Sequence, residues 1–415
     1  MAARTFDRSP WLLEPEISYL NHGSFGACPT PVLEAQRAWR DRLERQPARF
    51  LAGELEAHLD GAREDVARFL NADPAGLAFV PNATTGVNTV LASLRFHEGD
   101  ELLASDHEYN ATLNALRAAA ARDGARVTLV RIPFPVEDPA QVVEAYLEAV
   151  TPRTRLALVS HVTSVTALVL PIAAIVRELD RRGVDTLVDA AHAPGMVPVD
   201  LDALGAAYWT GNGHKWLCGP KGSGLLHVRA DVRARIHPLV VSHGANDPRP
   251  DRSRYRLEFD WTGTDDPTPW LALPAAIRFV GGLHADGWPG LRAANAALAR
   301  DGRTRLCSAL GVEPPAPDAM IGAMATVPLP TVAPDEDEPR RLQAFLAEED
   351  RIEVPVLLTP VRSARELGDA DPQTVIRISA QRYNTPDEYA WLAERLVDHV
   401  PRRSPRSLLG RLRRG

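Results

Sequence analysis

The chain has 415 residues, 45% of them hydrophobic and 24% charged, which suits a folded protein with one large core and a second, smaller one. A formal net charge of −7 argues against a nucleic-acid partner. The three scattered cysteines, Cys28, Cys218 and Cys307, support neither a disulfide framework nor a metal site. Residues 1–10 lack the apolar core of a signal peptide, and no apolar run is long enough to span a bilayer, so a cytoplasmic protein without a membrane partner is expected.

Residues 1–17 read as a loosely held arm leading into a tight loop, where Gly23 and Gly26 flank Ser24-Phe25. Pro31 then suits the first turn of a helix. From 32 to 70, apolar residues recur at spacings of three and four and predict two helices broken at Pro47. Arg37, Arg40, Arg42 and Arg45 form their solvated basic face. Leu77 to Val80 is a short strand, followed by a small polar turn and an apolar helix through Leu94. Free N–H groups and the positive end of the helix dipole make such a turn an anion site, to which the hydroxyls of Thr84 and Thr85 can contribute. The same pair serves equally well as a plain helix cap.

Further strands follow at Glu101–Ala104, 126–132, Leu156–Val159 and Thr186–Asp189, with helices between them. From 77 to 228 this alternation predicts a mostly parallel sheet covered on both faces, with ligands at the carboxyl ends of the strands. The strand at 186–189 ends in a carboxylate, Asp189, a group that either caps a helix, pairs with a cation or serves a ligand.

The stretch YWTGNGHKWLCGPKGSG, 208–224, carries Lys215 and Lys221, the only lysines in a chain that otherwise uses arginine. Arginine stays protonated, whereas lysine can lose its proton and attack a carbonyl cofactor. Glycines around Lys215 let backbone N–H groups approach a phosphate, and Asn212 and His214 add side-chain donors. A strand-end acid shortly before a glycine-flanked lysine is the pairing pyridoxal phosphate (PLP) chemistry requires, because the acid keeps the ring nitrogen protonated and the ring can then withdraw electrons from the substrate α-carbon.

Beyond a helix at Leu273–His284, strands at Met324–Leu329, Val354–Leu358 and Val375–Ser379 predict a smaller α+β unit. Arg377 interrupts the apolar pattern of the last strand, so it either forms a salt bridge or clamps an anionic ligand. The division expected is an arm and pocket loop (1–30), a large domain (31–272), a small domain (273–400) onto which the N-terminal segment packs, and a basic, disordered tail (401–415).

VDAAHAPG at 188–195 followed by GNGHKWLCGPKGSG at 211–224 resembles the class V aminotransferases of fold-type I, most closely the isopenicillin N epimerase-like branch. The resemblance runs from about Tyr19 to about Glu388. It implies an α/β fold whose large domain has a mostly parallel, seven-stranded-type sheet, with pyridoxal 5'-phosphate bound through Lys215. It further implies that Ala83, Thr84 and Thr85 hold the phosphate, that Tyr109, or else His107, stacks on the ring, and that His192 meets the ring oxygen. Asn21 and His22 are expected near the substrate, His161 as a cofactor contact or proton carrier, and Arg377 as the α-carboxylate clamp. Thr264 is expected to complete the site of a neighbouring subunit, which makes the protein a homodimer. Residues 350–376 contain no cysteine, which disfavours desulfuration. Epimerisation, β-elimination at a carbon–sulfur bond and transamination remain, as does a non-catalytic binding protein on the same fold.

Overall fold

The computed structural model describes residues 7–330, 332, 337–368 and 371–400; the basic tail expected at 401–415 lies outside them. The arm is not loose where it is described. Trp11 is 4% exposed and meets Tyr383 edge-on at a centroid distance of 5.1 Å, and the Thr30 N–H donates to the Pro10 carbonyl at 2.7 Å. A buried aromatic pair holds a segment that its local sequence leaves unspecified.

After strand β1 (Ser18–Tyr19), helix α1 (Thr30–Arg45) begins with proline in its first turn and α2 (Leu55–Leu70) follows a break at Pro47. Between the two helices, Phe50–Glu54 forms one wide π-helical turn that buries Phe50. Next come β2 (Leu77–Val80), α3 (Ala83–Ser93), β3 (Glu101–Ser105), α4 (Asn110–Asp123), β4 (Arg126–Val130), β5 (Thr154–Ser160), β6 (Asp185–Ala190), β7 (Tyr208–Asn212) and β8 (Gly224–Val228). They build a seven-stranded sheet of order β2-β8-β7-β6-β5-β3-β4. Only β8 runs against its neighbours. Leu102, Leu158, Leu187 and Leu226 are fully buried, as continuous apolar runs in a doubly covered sheet require. Each such side chain stabilises the fold by roughly 1.5–3 kcal/mol.

The α3 helix crosses this sheet closely. A Cβ on Gly86 would lie 2.0 Å from Thr210 Oγ1, so only glycine allows the approach. The Asn82 side chain caps the helix by accepting the Thr85 N–H at 2.9 Å.

The C-terminal part contains α5 (Gly287–Leu310), β9 (Met324–Pro328), β10 (Ile352–Glu353), β11 (Val356–Thr359), α6 (Arg362–Gly368), β12 (Gln373–Ser379) and α7 (Pro386–His399). Strands β11, β12 and β9 form an antiparallel sheet. Leu298 and Leu306 of α5 and Leu392 of α7 share one core with Ile376 and Ile378 of β12. The N-terminal β1 pairs in parallel with β10, Ser18 opposite Ile352, and the Leu20 carbonyl accepts the Ser379 N–H at 2.9 Å. This pairing carries residues 21–26 across to the loop that bears Lys215. No described helix is long and apolar enough to cross a membrane.

Candidate active site

Strand β6 places Asp189 at its carboxyl end, in register with Ser160 of β5 and Thr210 of β7. After β7 the chain turns sharply: the Lys215 carbonyl accepts the Cys218 N–H at 3.0 Å, and the Gly213 carbonyl accepts that of Gly219 at 2.9 Å. Gly26 of the N-terminal loop approaches the same turn so closely that a Cβ there would lie 2.4 Å from the His214 carbonyl oxygen. The Lys221 ammonium ties this loop down by donating to the Gly26 carbonyl at 2.7 Å.

These elements enclose a cavity of about 450 Å³. Asp189, His192 and Lys215 face it from the carboxyl end of the sheet, Ala83 and Thr84 from the first turn of α3, and Arg377 from β12. Tyr109, Asn212 and His214 also line it. Asn212 accepts the Ala83 N–H at 2.8 Å and thereby fixes the start of α3 against the lysine loop.

Burial and the charge of Arg377 pull the Lys215 amine down to about 7, against the opposing pull of Asp189. Its Nζ lies 3.2 Å from Nε2 of His192, whose Nδ1 accepts the Trp216 indole N–H at 3.3 Å. Burial also holds His192 well below its usual range. Burial raises the Asp189 carboxyl, although the Ala191 N–H and the Lys215 charge oppose the rise. The orphaned Nδ1 of His214, buried without a partner, sits in a residue that lines the cavity.

Arg377 is 3% exposed. It donates to the Ser164 carbonyl and to Ser24 Oγ, each at 2.5 Å, and no described carboxylate lies within ion-pair distance of it. Burial lowers its pKa to about 10, which leaves it charged at neutral pH. A buried cation without an acid partner is costly unless a ligand supplies the anion, so the salt-bridge alternative finds no partner among the described residues.

Other expected residues stand off the cavity wall. His22 is fully buried, with Nδ1 at 2.7 Å from the Tyr383 hydroxyl and Nε2 at 3.0 Å from the Lys215 carbonyl. It therefore supports the lysine loop from behind, and Asn21 is likewise absent from the lining. His107 is buried against Thr166, 2.9 Å from its hydroxyl, which leaves Tyr109, 45% exposed, as the one of the two that lines the cavity, where Phe25 is a second aromatic side chain. Thr85 spends its hydroxyl on Asn82. His161 is turned away between Ser160 and Val162, which do line the cavity. Alternation of side chains beyond β5 accounts for that orientation and was the signal available for Ser160 and Ser164. Thr264 is exposed and lies outside the cavity. Ser24 and Lys221 went unassigned in the sequence reading because their roles depend on the N-terminal loop crossing the site.

The residues present suit PLP. An amine of lowered pKa and a strand-end acid share one cavity with a helix N-terminus and an orphaned imidazole nitrogen.

A family model described as aminotransferase class-V matches residues 28–390. The chain is 39% identical to the isopenicillin N epimerase of Amycolatopsis lactamdurans over 93% of this chain and 96% of the relative. It is 31% identical to an L-cysteine desulfhydrase of Arabidopsis thaliana, covering 92% and 88% respectively. Among solved structures, a lysine-to-alanine variant of C-DES with glycine covalently linked to its PLP cofactor superposes with a TM-score of 0.76 at 24% identity, covering 94% of this chain and 99% of that one. The chain belongs to the class V aminotransferase family of PLP-dependent enzymes, and pyridoxal phosphate is its cofactor.

Proposed function

We propose that this enzyme removes the α-proton of an amino acid or amino-acid conjugate, with Lys215 as the base, and that the outcome is epimerisation or β-elimination of a carbon–sulfur bond. The observation that carries this reading is the convergence on one cavity of the Lys215 amine, Asp189, the α3 N-terminus and Arg377, which has no acid partner among the described residues. When bound, PLP supplies the electron sink that makes the α-proton acidic. The chain's own residues do the rest. Arg377 holds the α-carboxylate, and its contacts with Ser24 and Ser164 keep the guanidinium from following the substrate out. The first turn of α3 and His214 offer donors to the phosphate. In this reading Asp189 serves the ring nitrogen and His192 the ring oxygen. A lysine titrating near neutrality is suited to take a proton and return it.

Epimerisation is the first reading, supported by the 39% identity to an epimerase over nearly all of both chains. It requires a second proton carrier, and Tyr109 is the phenol at the cavity. Single-base β-elimination is the second reading, favoured by the position of His161 behind the cavity wall. Transamination would need a keto-acid acceptor in the same space, and a purely binding protein would have no use for both the sink and the clamp.

The same proposal includes a homodimer. Thr264 follows Gly263, whose φ is +121°, on an exposed loop away from its own cavity. Leu239, Val240 and Val241 form an apolar run 48%, 55% and 80% exposed, a surface suited to burial against a second subunit.

Proton NMR of the PLP-loaded enzyme in deuterated water tests the reaction, using amino acids and S-substituted cysteines. Exchange of the α-proton with loss of optical activity identifies an epimerase. Release of pyruvate, ammonia and a thiol identifies a lyase. If neither is seen with any substrate, the α-proton reading is wrong.

A further inference from the structure

Glu108 is fully buried behind the cavity wall and has no part in the proposed reaction. Its two oxygens are engaged unequally. Oε1 accepts from Ser105 Oγ at 2.9 Å, from the Ser160 N–H at 3.1 Å and from the Tyr146 hydroxyl at 3.3 Å. Oε2 meets the Ser160 hydroxyl alone. The titratable groups around the acid are Asp106 and His107 of its own turn, Tyr146 of the helix Pro139–Glu148 and Asp189 of β6, and no described cation lies within ion-pair distance of it. Burial raises the carboxyl to about 7, with the Asp189 charge adding to the rise and the Ser160 and Ser105 bonds opposing it.

Three donors saturate Oε1, so a proton bound by this acid sits on Oε2, against Ser160. The Ser160 hydroxyl can donate or accept, and it therefore has two states. Beside a neutral Glu108 its oxygen accepts from Oε2 and its own hydrogen is released. Beside an ionised Glu108 that hydrogen returns to Oε2. Ser160 lines the cavity and stands in register with Asp189 on the neighbouring strand, where the Asp189 carboxylate accepts the Ala191 N–H at 3.0 Å but no hydrogen bond from a described side chain. We propose that Glu108 is a positioning residue for Asp189 that acts through Ser160: neutral Glu108 turns the Ser160 hydrogen toward the cavity and favours the ionised Asp189, whereas ionised Glu108, its proton passed to solvent, draws that hydrogen back. The turned hydroxyl dipole and the added like charge then act on Asp189 in the same direction. A deep acid kept neutral and a shallow one kept charged is the division of protons that a partner of the ring nitrogen needs. The inference rests on Asp189 serving the ring nitrogen and adds Glu108 and Ser160 to the groups that set its charge.

The test begins with the cofactor-free protein carrying aspartate isotope-labelled at the side-chain carboxyl. The Asp189 resonance is identified by its loss in Asp189→Asn and followed by NMR against pH. It should move in two steps, its own and a second at the Glu108 midpoint. Glu108→Gln, whose amide donates to Ser160 as the neutral acid does, should erase the second step and leave the first in place. Ser160→Ala should shrink the second step by at least half, wherever its midpoint falls, whereas direct repulsion between two carboxylates survives that change. PLP affinity, read from indole fluorescence, gives a second measure. Ser160→Ala should bind PLP about three-fold more weakly than the native protein near pH of about 6, and equally well, to within about 1.5-fold, above pH of about 8. A single step, or a second step undiminished in Ser160→Ala, overturns the inference. Two steps that respond to both variants, with a PLP ratio independent of pH, keep the relay and remove the role of Asp189 at the ring nitrogen.

Discussion

Nε2 of His192 stands 3.2 Å from Nζ of Lys215, while Nδ1 of the same ring accepts the indole N–H of Trp216. An imidazole that accepts at Nδ1 and is held neutral by burial carries its proton on Nε2. That N–H can donate to the lysine only if the lysine is a free amine. The tautomer set by Trp216 and the depressed lysine therefore describe the same state, an amine ready to attack.

The cofactor-free protein should accordingly react at Lys215 with a small amine-directed reagent at a rate that rises through pH of about 7. An ordinary lysine would become reactive about three units higher. The folded pKa lies below the unfolded one, so the unfolded chain holds the extra proton between them, and this group's cost to stability is relieved as pH rises from about 7. Labelling followed by mass mapping against pH measures it.

Replacing Arg377 separates a clamp from a structural charge. Its polar partners are the Ser164 carbonyl and the Ser24 hydroxyl, so Arg377→Met should leave thermal stability unchanged to within ~1 kcal/mol or improve it. The same change should raise KM for an amino-acid substrate roughly 30-fold or more. A large loss of stability would instead identify a structural role.

Thr264 is exposed in the single chain, and its proposed role lies in the partner's site. Thr264→Asp should repel the cofactor phosphate, and Lys215→Ala should be inactive. Mixing and reassociating the two variants should restore roughly a quarter of native activity, because half the dimers are mixed and each contains one intact site. No recovery would place Thr264 in the site of its own chain.

Beneath the cavity, Glu108 is fully buried and accepts hydrogen bonds from Ser105 Oγ at 2.9 Å, from the Ser160 N–H at 3.1 Å and from the Ser160 hydroxyl. Burial pushes its carboxyl up to about 7. A raised carboxyl binds its proton in the folded state, so its contribution is present at low pH and lost as pH climbs from its unfolded value of 4.5 through about 7. Glu108→Gln should remove that dependence, gaining roughly 1–3 kcal/mol over the native protein between pH 5 and 8. Parallel melting curves in that range would refute the assignment.

The sheet was legible because each βα unit carries its own signal: an apolar strand, a polar turn and a helix start. Asp189 and Lys215 were legible for a related reason, since strand ends and glycine-flanked loops mark themselves locally. His161 and His22 were harder. Both stand beside cavity-lining residues, but strand parity turns one away, and the other is drawn under the lysine loop by Tyr383, 361 positions distant. The arm was misread because its anchor is the same Tyr383.

Reduction with borohydride in the presence of PLP, followed by peptide mass mapping, tests the central claim most directly, because the chain offers only two lysine side chains. The account predicts the mass of the reduced cofactor on the peptide containing Lys215, and its loss in Lys215→Ala. The cofactor mass on Lys221, or on neither lysine, would contradict it.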